Sequence, residues 1–208
     1  MLPLTPAELK TLCKLTTPIK IQNHLDSIPM NWEKDRETYF SPRKAMRMKK
    51  MHCMEGALFA AAALWVQGEK PLLMDLKTKG DIDHVVALYR RNGCWGAISK
   101  TNHSTLRFRD PVYKTLRELA LSYFHEYFRD KDGKKTLVSH SSKPFNLLQY
   151  GTKWITAEED LDYIVEDIDA APHKQLYPKK NQRLIRPADE MEKRAAKIIE
   201  WKRTDPRT

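Results

Sequence analysis

The stretch MHCMEGALFAAAALWV, residues 51 to 66, constrains the fold of this chain more than any other. From Ala57 to Val66 every residue is apolar, so this part of the segment has no polar face to turn toward water. A helix that is hydrophobic on all sides packs in the centre of a domain. Gly68 and Pro71 follow and are typical of a helix end. The sequence therefore predicts a central buried helix from about Cys53 to Val66.

Other helix starts are marked by a capping residue that is followed by proline or, three residues later, by glutamate. From such signals we predict helix starts at Thr5-Pro6, Ser41-Pro42, Asp110-Pro111 and, as a capping box, at Thr156 with Glu159. The segment PADEMEKRAAKIIEWKR, residues 187 to 203, predicts a last helix that is amphipathic and basic.

Strand signals lie between these helices. Apolar runs predict strands over residues 71 to 76 and 84 to 91, and KTLVSHS, residues 135 to 141, predicts a later one. Asn92-Gly93 is a strong signal for a tight hairpin, which leads into a third strand in CWGAISK. Helices before and after a short antiparallel sheet predict an α+β fold, with the buried helix packed on the sheet.

The length and composition bound the organisation. A chain of 208 residues with 41% hydrophobic side chains suits one compact domain, which we predict to span residues 1 to 175. Residues 176 to 208 are predicted to form a basic linker and the C-terminal helix. The N-terminus has no basic-then-apolar signal sequence and no apolar run reaches a membrane-spanning length, so we expect a cytoplasmic protein that is not inserted in a membrane.

Neither metal nor cofactor chemistry is favoured by the motifs. The three cysteines, Cys13, Cys53 and Cys94, form an odd and sparse set without a C-x-x-C pair, which argues against a disulfide framework and a structural zinc site. HCME is not the H-E-x-x-H zinc motif, and the seven glycines form neither a P-loop nor a G-x-G-x-x-G loop. We therefore predict no metal and no cofactor.

Cys53 and His84 are the strongest candidates for chemistry. A cysteine acts as a nucleophile only as the thiolate, and a helix N-terminus or a nearby imidazolium lowers its pKa. Cys53 begins the predicted buried helix, and His84 begins a predicted strand 31 positions later. A helix and a neighbouring strand can bring the two side by side, which is the arrangement used in acyl transfer. The first-turn N–H groups of the helix would then bind the oxyanion.

The run HCMEGALFAAAALWVQGEKPLLMDL, followed by DIDHVVALYRRNGCWGAISKTN, resembles the transglutaminase-like branch of the papain-like cysteine enzymes. In that family a cysteine heads a central helix of small apolar residues, a histidine heads a strand, and a hairpin leads to a tryptophan-containing strand. Those positions correspond here to Cys53, His84 and Trp95. The resemblance covers residues 41 to 104, and the motifs SPR, HCMEGAL and RFRDPVY extend it loosely to bacterial proteins of the same group.

This resemblance implies a papain/transglutaminase-like core and a cysteine-dependent acyl-transfer enzyme: a peptidase, an amidase or a transglutaminase-like acyltransferase. Its substrate would be a peptide or a small amide. A second hypothesis is a catalytically inactive binding protein that keeps this fold. The net charge of +10 would then let the basic surface, including the C-terminal helix, bind an acidic partner. Because the basic residues are spread along the chain, nucleic acid is not the favoured partner.

The third catalytic residue is the point at which the sequence departs from the family, which commonly has an Asp four positions after the tryptophan. That position is Ser99 here, and Asn102 is the nearest amide. A regular hairpin at Asn92-Gly93 puts Ser99 on the same face as His84 and Asn102 on the opposite face, whereas one bulge puts Asn102 opposite His84. Because an amide oxygen orients a histidine better than a hydroxyl, we predict Asn102 as the third member, with Ser99 as the alternative.

Several neighbouring polar residues receive secondary roles. We interpret Glu55 as a first-turn acid favoured by the helix dipole rather than as a catalytic group, and His52 as a residue that flanks the entrance. Gln22 is a weaker candidate for an oxyanion donor, since a glutamine has this role in papain relatives. Asp81 and Asp83 lie beside His84 in sequence and are alternatives for orienting it.

Overall fold

The computed structural model describes residues 2–32 and 36–199. Its α-helices in these ranges are α1 (Pro6–Cys13), α2 (Pro18–Ser27), α3 (Pro42–Met48), α4 (Cys53–Val66), α5 (Leu116–Phe124), α6 (Lys153–Thr156), α7 (Asp162–Ala170) and α8 (Glu190–Ala196). Its strands are β1 (Leu72–Thr78), β2 (His84–Arg91), β3 (Cys94–Ile98), β4 (Arg109–Tyr113), β5 (Leu137–Ser141), β6 (Phe145–Asn146) and β7 (His173–Gln175). Two 3-10 turns cover Leu147–Tyr150 and Lys179–Leu184.

Helix α4 lies at the centre of the molecule, as the sequence predicts. Every residue from Ala57 to Ala63 is completely buried, and the helix contacts α1, α2, α3, β1 and β2. It ends at Val66, and Gly68 adopts the positive φ that glycine tolerates best. The prediction of a central helix from Cys53 to Val66 is confirmed.

The strands form one antiparallel sheet with the order β4-β3-β2-β1-β5-β7, and β6 also pairs with β1. One face of the sheet carries Leu73, Val85 and Ala87 against α4. The other face carries Met74 and Val86 in a second cluster that also includes residues of α5. Helices packed on an antiparallel sheet make this an α+β fold, in agreement with the sequence.

The hairpin between β2 and β3 fixes the register of the site. Asn92 and Gly93 both have positive φ and form its tight turn, as predicted. Arg91 pairs with Cys94, and the pairing continues without a shift to Ala87 and Ile98. The irregular register that would bring Asn102 opposite His84 is therefore wrong for the paired part of this hairpin.

Two predicted helix starts are also wrong. Asp110 and Pro111 lie in β4, and the following helix begins at Leu116 with Thr115 as its N-cap. Proline fits there because β4 pairs with only one strand, β3, at the edge of the sheet. Thr156 ends α6 rather than capping a new helix, since Ala157 after it is extended.

The C-terminal segment packs against the rest of the chain. Ala188 N–H donates to Gly133 O at 2.8 Å, and Ser104 N–H donates to Ile198 O at 2.9 Å. Helix α8 covers the first part of the predicted basic helix, whose residues 200 to 203 lie outside the described residues. The division at residue 175 stays a prediction. Among the described helices, none has the length and apolar character needed to cross a membrane.

Candidate active site

Cys53 is the first residue of α4 and is half-buried. The residue before it, His52, is the N-cap: its Nδ1 accepts a hydrogen bond from Met54 N–H at 3.2 Å. Its Nε2 meets the carbonyl of Thr38, which can only accept, so Nε2 carries the proton in the neutral ring. The helix start is thus held by an imidazole, which places a titratable ring directly beside the thiol.

Two imidazoles lie within hydrogen-bonding reach of the Cys53 thiol, one from His52 and one from His84. Burial by itself raises the pKa of Cys53, but the hydrogen bonds from these rings and their charge lower it to about 5. Burial lowers the pKa of His52, whereas the hydrogen bond and charge of Cys53 and the charge of Glu55 raise it to about 9. Above a pH of about 5 the favoured state of Cys53 is therefore the thiolate.

His84, the first residue of β2, is 5% exposed and has Ser99 as its partner. Its Nε2 lies 2.8 Å from Ser99 Oγ. The hydroxyl of Ser99 donates its single hydrogen to the carbonyl of Leu106, so toward His84 it acts as an acceptor. Nε2 therefore carries a proton, which leaves Nδ1 as the nitrogen available to the thiol.

The hydrogen-bond partner of His84 is thus Ser99, the alternative candidate for the third member, and not Asn102, the preferred prediction. The regular hairpin turns Ser99 to the face of His84. Asn102 follows three residues later and makes no hydrogen bond with His84 in the part of the chain that the structure describes. Its half-buried side chain instead lines the space over Cys53.

Gln22, in α2, holds Ser99 in place. Its Oε1 accepts from Ser99 N–H at 3.0 Å, and its Nε2 donates to Ser99 O at 2.8 Å and to Asp26 Oδ1 at 2.9 Å. Both amide hydrogens are therefore used, and the proposed role of Gln22 as an oxyanion donor is wrong. The sequence gives no signal for this contact, because residues 22 and 99 are far apart in the chain.

The first turn of α4 offers fewer oxyanion donors than the sequence analysis expects. Met54 N–H is bonded to His52 Nδ1, and Gly56 N–H donates to His52 O at 2.9 Å. Cys53 N–H has no acceptor among the described residues. The expectation that several N–H groups of this turn bind an oxyanion is therefore wrong. In this turn, Cys53 N–H is the backbone donor that can do so.

Glu55 stabilises the entry to the helix. It is fully buried and accepts from His52 N–H at 2.9 Å, which completes a capping box, and from Phe40 N–H at 3.2 Å. Asn31 and Thr38 also donate to its carboxyl group. Burial raises the pKa of Glu55, although the charge of His52 and these hydrogen bonds act in the opposite direction. This supports the prediction of a first-turn acid with a structural role.

The acids next to His84 in sequence have other partners. Asp81 Oδ2 accepts from Thr136 Oγ1 at 2.8 Å. Asp83 Oδ2 lies 2.8 Å from Lys77 Nζ, which also pairs with Asp169 at 2.6 Å. Asp75, Asp83 and Asp169 are close enough to share a cation, but the ammonium group of Lys77 already contacts all three carboxylates. Neither Asp81 nor Asp83 replaces Ser99 as the partner of His84 Nε2.

Two adjoining cavities meet at Cys53. One has a volume of about 500 Å³ and is also lined by His84, Lys100 and Tyr127. The other has a volume of about 720 Å³ and is lined by His52 and Trp32. Met30, Asp81, Ile82, Asp83, Asn102 and His103 line both. Because both cavities are lined by Cys53, a substrate can extend on either side of its sulfur.

Comparison of the chain with models of protein families gave no match, and comparison with curated proteins gave none.

Proposed function

We propose that this protein is a cysteine-dependent acyl-transfer enzyme with a papain/transglutaminase-like core. The observation that carries the proposal is the chain of contacts from the Cys53 thiol through His84 to Ser99, at the junction of two cavities. A half-buried thiol with a pKa near 5 is a thiolate at neutral pH. Strongly perturbed groups in a cleft are typical of functional sites.

The chemistry follows from the assigned protons. The Cys53 thiolate attacks the carbonyl carbon of an amide, and the new C–S bond converts the carbonyl oxygen to an oxyanion. The proton that the Cys53 thiol loses passes to Nδ1 of His84, and His84 gives it to the leaving amine as the C–N bond breaks. A thioester remains on Cys53. Water or a second amine then attacks the thioester, gives a proton to His84 and releases the sulfur as thiolate.

Ser99 orients the histidine in this mechanism. Because its hydroxyl accepts from Nε2–H, the tautomer that presents Nδ1 to the sulfur is favoured. A hydroxyl is a weaker partner for an imidazolium than a carboxylate. Gln22 compensates in part by fixing the backbone of Ser99 on both sides of the residue.

The arrangement of elements also supports the transglutaminase-like assignment. The cysteine begins the central helix α4, the histidine begins β2, and a hairpin leads to β3, which contains Trp95. The third residue lies just beyond β3, where the resemblance expects an acidic residue or an amide. The groove fits a peptide or a small amide as the acyl donor.

A second candidate function is binding without turnover on the same fold. The observation in its favour is the neutral hydroxyl of Ser99 at the position where the family commonly has a carboxylate. On this reading the groove and the basic surface would bind partners, and the reactivity of the thiol would have no role.

Acylation of the protein by p-nitrophenyl acetate separates the two candidates. We expect a burst of p-nitrophenolate of one equivalent per chain, with the acetyl group found on Cys53 by peptide mapping. Cys53→Ala and His84→Ala should abolish the burst, whereas Cys13→Ala and Cys94→Ala should retain it. Absence of a burst, or acetylation spread over all three cysteines, would contradict the enzyme assignment.

A further inference from the structure

We propose that the side-chain amide of Asn102 donates a hydrogen bond to the oxyanion that forms when Cys53 attacks a carbonyl group. This inference rests on the proposed function and adds a catalytic residue to it. Stabilising an oxyanion requires donors that are already in place and that no other group occupies. In the described site, Cys53 N–H meets this requirement as the backbone donor. An effective oxyanion site needs a second donor beside it.

Asn102 has an unoccupied donor at the right place in the groove. Its half-buried side chain makes no hydrogen bond with any described residue. It lines both of the cavities that meet at Cys53. The hydroxyl of Ser99 accepts from His84 Nε2, and Asn102 makes no hydrogen bond with that ring. Asn102 therefore lines the substrate space and is not the hydrogen-bond partner of His84 Nε2.

The backbone around Asn102 is anchored on both sides. On one side Lys100 Nζ donates to Ile28 O at 2.6 Å, and its side chain is 1% exposed. On the other side His103 bridges Ile199 and its N–H donates to Thr101 Oγ1 at 3.1 Å. These contacts fix the position of the chain at Asn102, and a fixed position in advance of the reaction is what makes an oxyanion donor effective.

Gln22 and Trp32 are the rival donors, and the structure favours neither. Both amide hydrogens of Gln22 are bonded to Ser99 O and Asp26. Trp32 is 46% exposed and lines the larger cavity without lining the one that contains His84. Asn102 is thus the side-chain amide that reaches both sides of Cys53 without an existing bond.

The test uses two reactions of the same sulfur in the full-length protein. Acylation by p-nitrophenyl acetate forms a C–S bond, passes through an oxyanion and expels p-nitrophenolate. Alkylation by iodoacetamide displaces iodide and forms no oxyanion. We expect Asn102→Ala to slow acylation of Cys53 roughly 100-fold, and Asn102→Asp to slow it further, because a carboxylate repels the oxyanion. In Asn102→Ala, alkylation should keep its rate and pH profile.

Asn181→Ala is the matched control, since Asn181 is half-buried, makes no side-chain hydrogen bond among the described residues and lines neither cavity. It should keep both rates. Equal loss of acylation and alkylation in Asn102→Ala would overturn the proposal, because it would indicate a structural role. A normal acylation rate in Asn102→Ala, or a loss in Trp32→Phe with none in Asn102→Ala, would also overturn it while leaving the proposed function intact. No acylation of Cys53 in the unchanged protein would overturn both.

Discussion

At the scale of single residues, the proposed chemistry depends on how protons are distributed among the side chains of Cys53, His84 and Ser99. The hydroxyl of Ser99 can donate only once, and it donates to Leu106 O, so it accepts from His84 Nε2. The other ring nitrogen is then available to Cys53. The sequence predicts Asn102 ahead of Ser99 as the partner of His84, because an amide oxygen is the better acceptor. Register decided the outcome, because side chains on a strand alternate between faces.

Removing the Ser99 hydroxyl tests this distribution. In Ser99→Ala the His84 ring loses the acceptor on Nε2, so we expect the rate of Cys53 acylation to fall roughly 10- to 100-fold. Ser139→Ala, which changes a buried serine in β5, is the control and should keep the rate. Stopped-flow detection of p-nitrophenolate gives both rates. An unchanged rate in Ser99→Ala would exclude Ser99 as the orienting residue.

At the scale of elements, the start of α4 does two tasks. His52 and Glu55 form its capping box, and the same His52 ring lies beside the sulfur. Gly56 allows the helix to approach Lys100 closely, since a Cβ on residue 56 would lie 2.4 Å from Lys100 Cβ. In the HCMEGAL motif, the capping box therefore explains Glu55 and the close contact explains Gly56.

For Gly56→Ala, the close contact with Lys100 predicts a loss of stability, whereas helix propensity alone predicts a gain. Alanine in a helix interior is favoured over glycine by about 1 kcal/mol. Because of the clash with Lys100, we expect Gly56→Ala to lower the free energy of unfolding by about 1–3 kcal/mol instead. Urea denaturation measures the difference. A gain in stability would contradict the close packing of α4 on the segment that contains Lys100.

The sequence predicts some helices and strands of this fold better than others. The uniformly apolar sequence of α4 and the Asn-Gly turn are local signals, and the structure confirms both elements. The Asp110-Pro111 signal was misread because the same pair fits an edge strand, and only the sheet order shows that β4 is at an edge. The contact of Gln22 with Ser99 joins distant parts of the chain, which local patterns cannot reveal.

At the scale of the whole molecule, the groove is built from distant parts of the chain. Its walls include residues of the loop before α4, the segment after β3 and Ala196 of α8. The C-terminal segment is held in part by Gly133, whose carbonyl accepts from Ala188 N–H. A Cβ on Gly133 would lie 2.4 Å from Ala188 O.

We expect Gly133→Ala to loosen this segment and to speed trypsin cleavage at Lys193 and Arg194 in α8 by about tenfold. This factor corresponds to a decrease of about 1.4 kcal/mol in the free energy of local opening. Gly151→Ala is the matched control. Both glycines have φ near 60–67°, but a Cβ on Gly151 meets no atom within 4 Å. Equal cleavage of the two variants would show that Gly133 does not hold the segment.

The rate of Cys53 alkylation by iodoacetamide as a function of pH shows whether the thiol is ionised at neutral pH and whether His84 lowers its pKa. A cysteine without such contacts ionises near pH 8.5. The lowered pKa of Cys53, about 5, means that its thiolate is lost only as the pH falls through that value. We predict a half-maximal rate near pH 5 and a plateau above it, with the midpoint moved upward in His84→Ala. A rate that rises only above pH 8, alike in both proteins, would contradict the account.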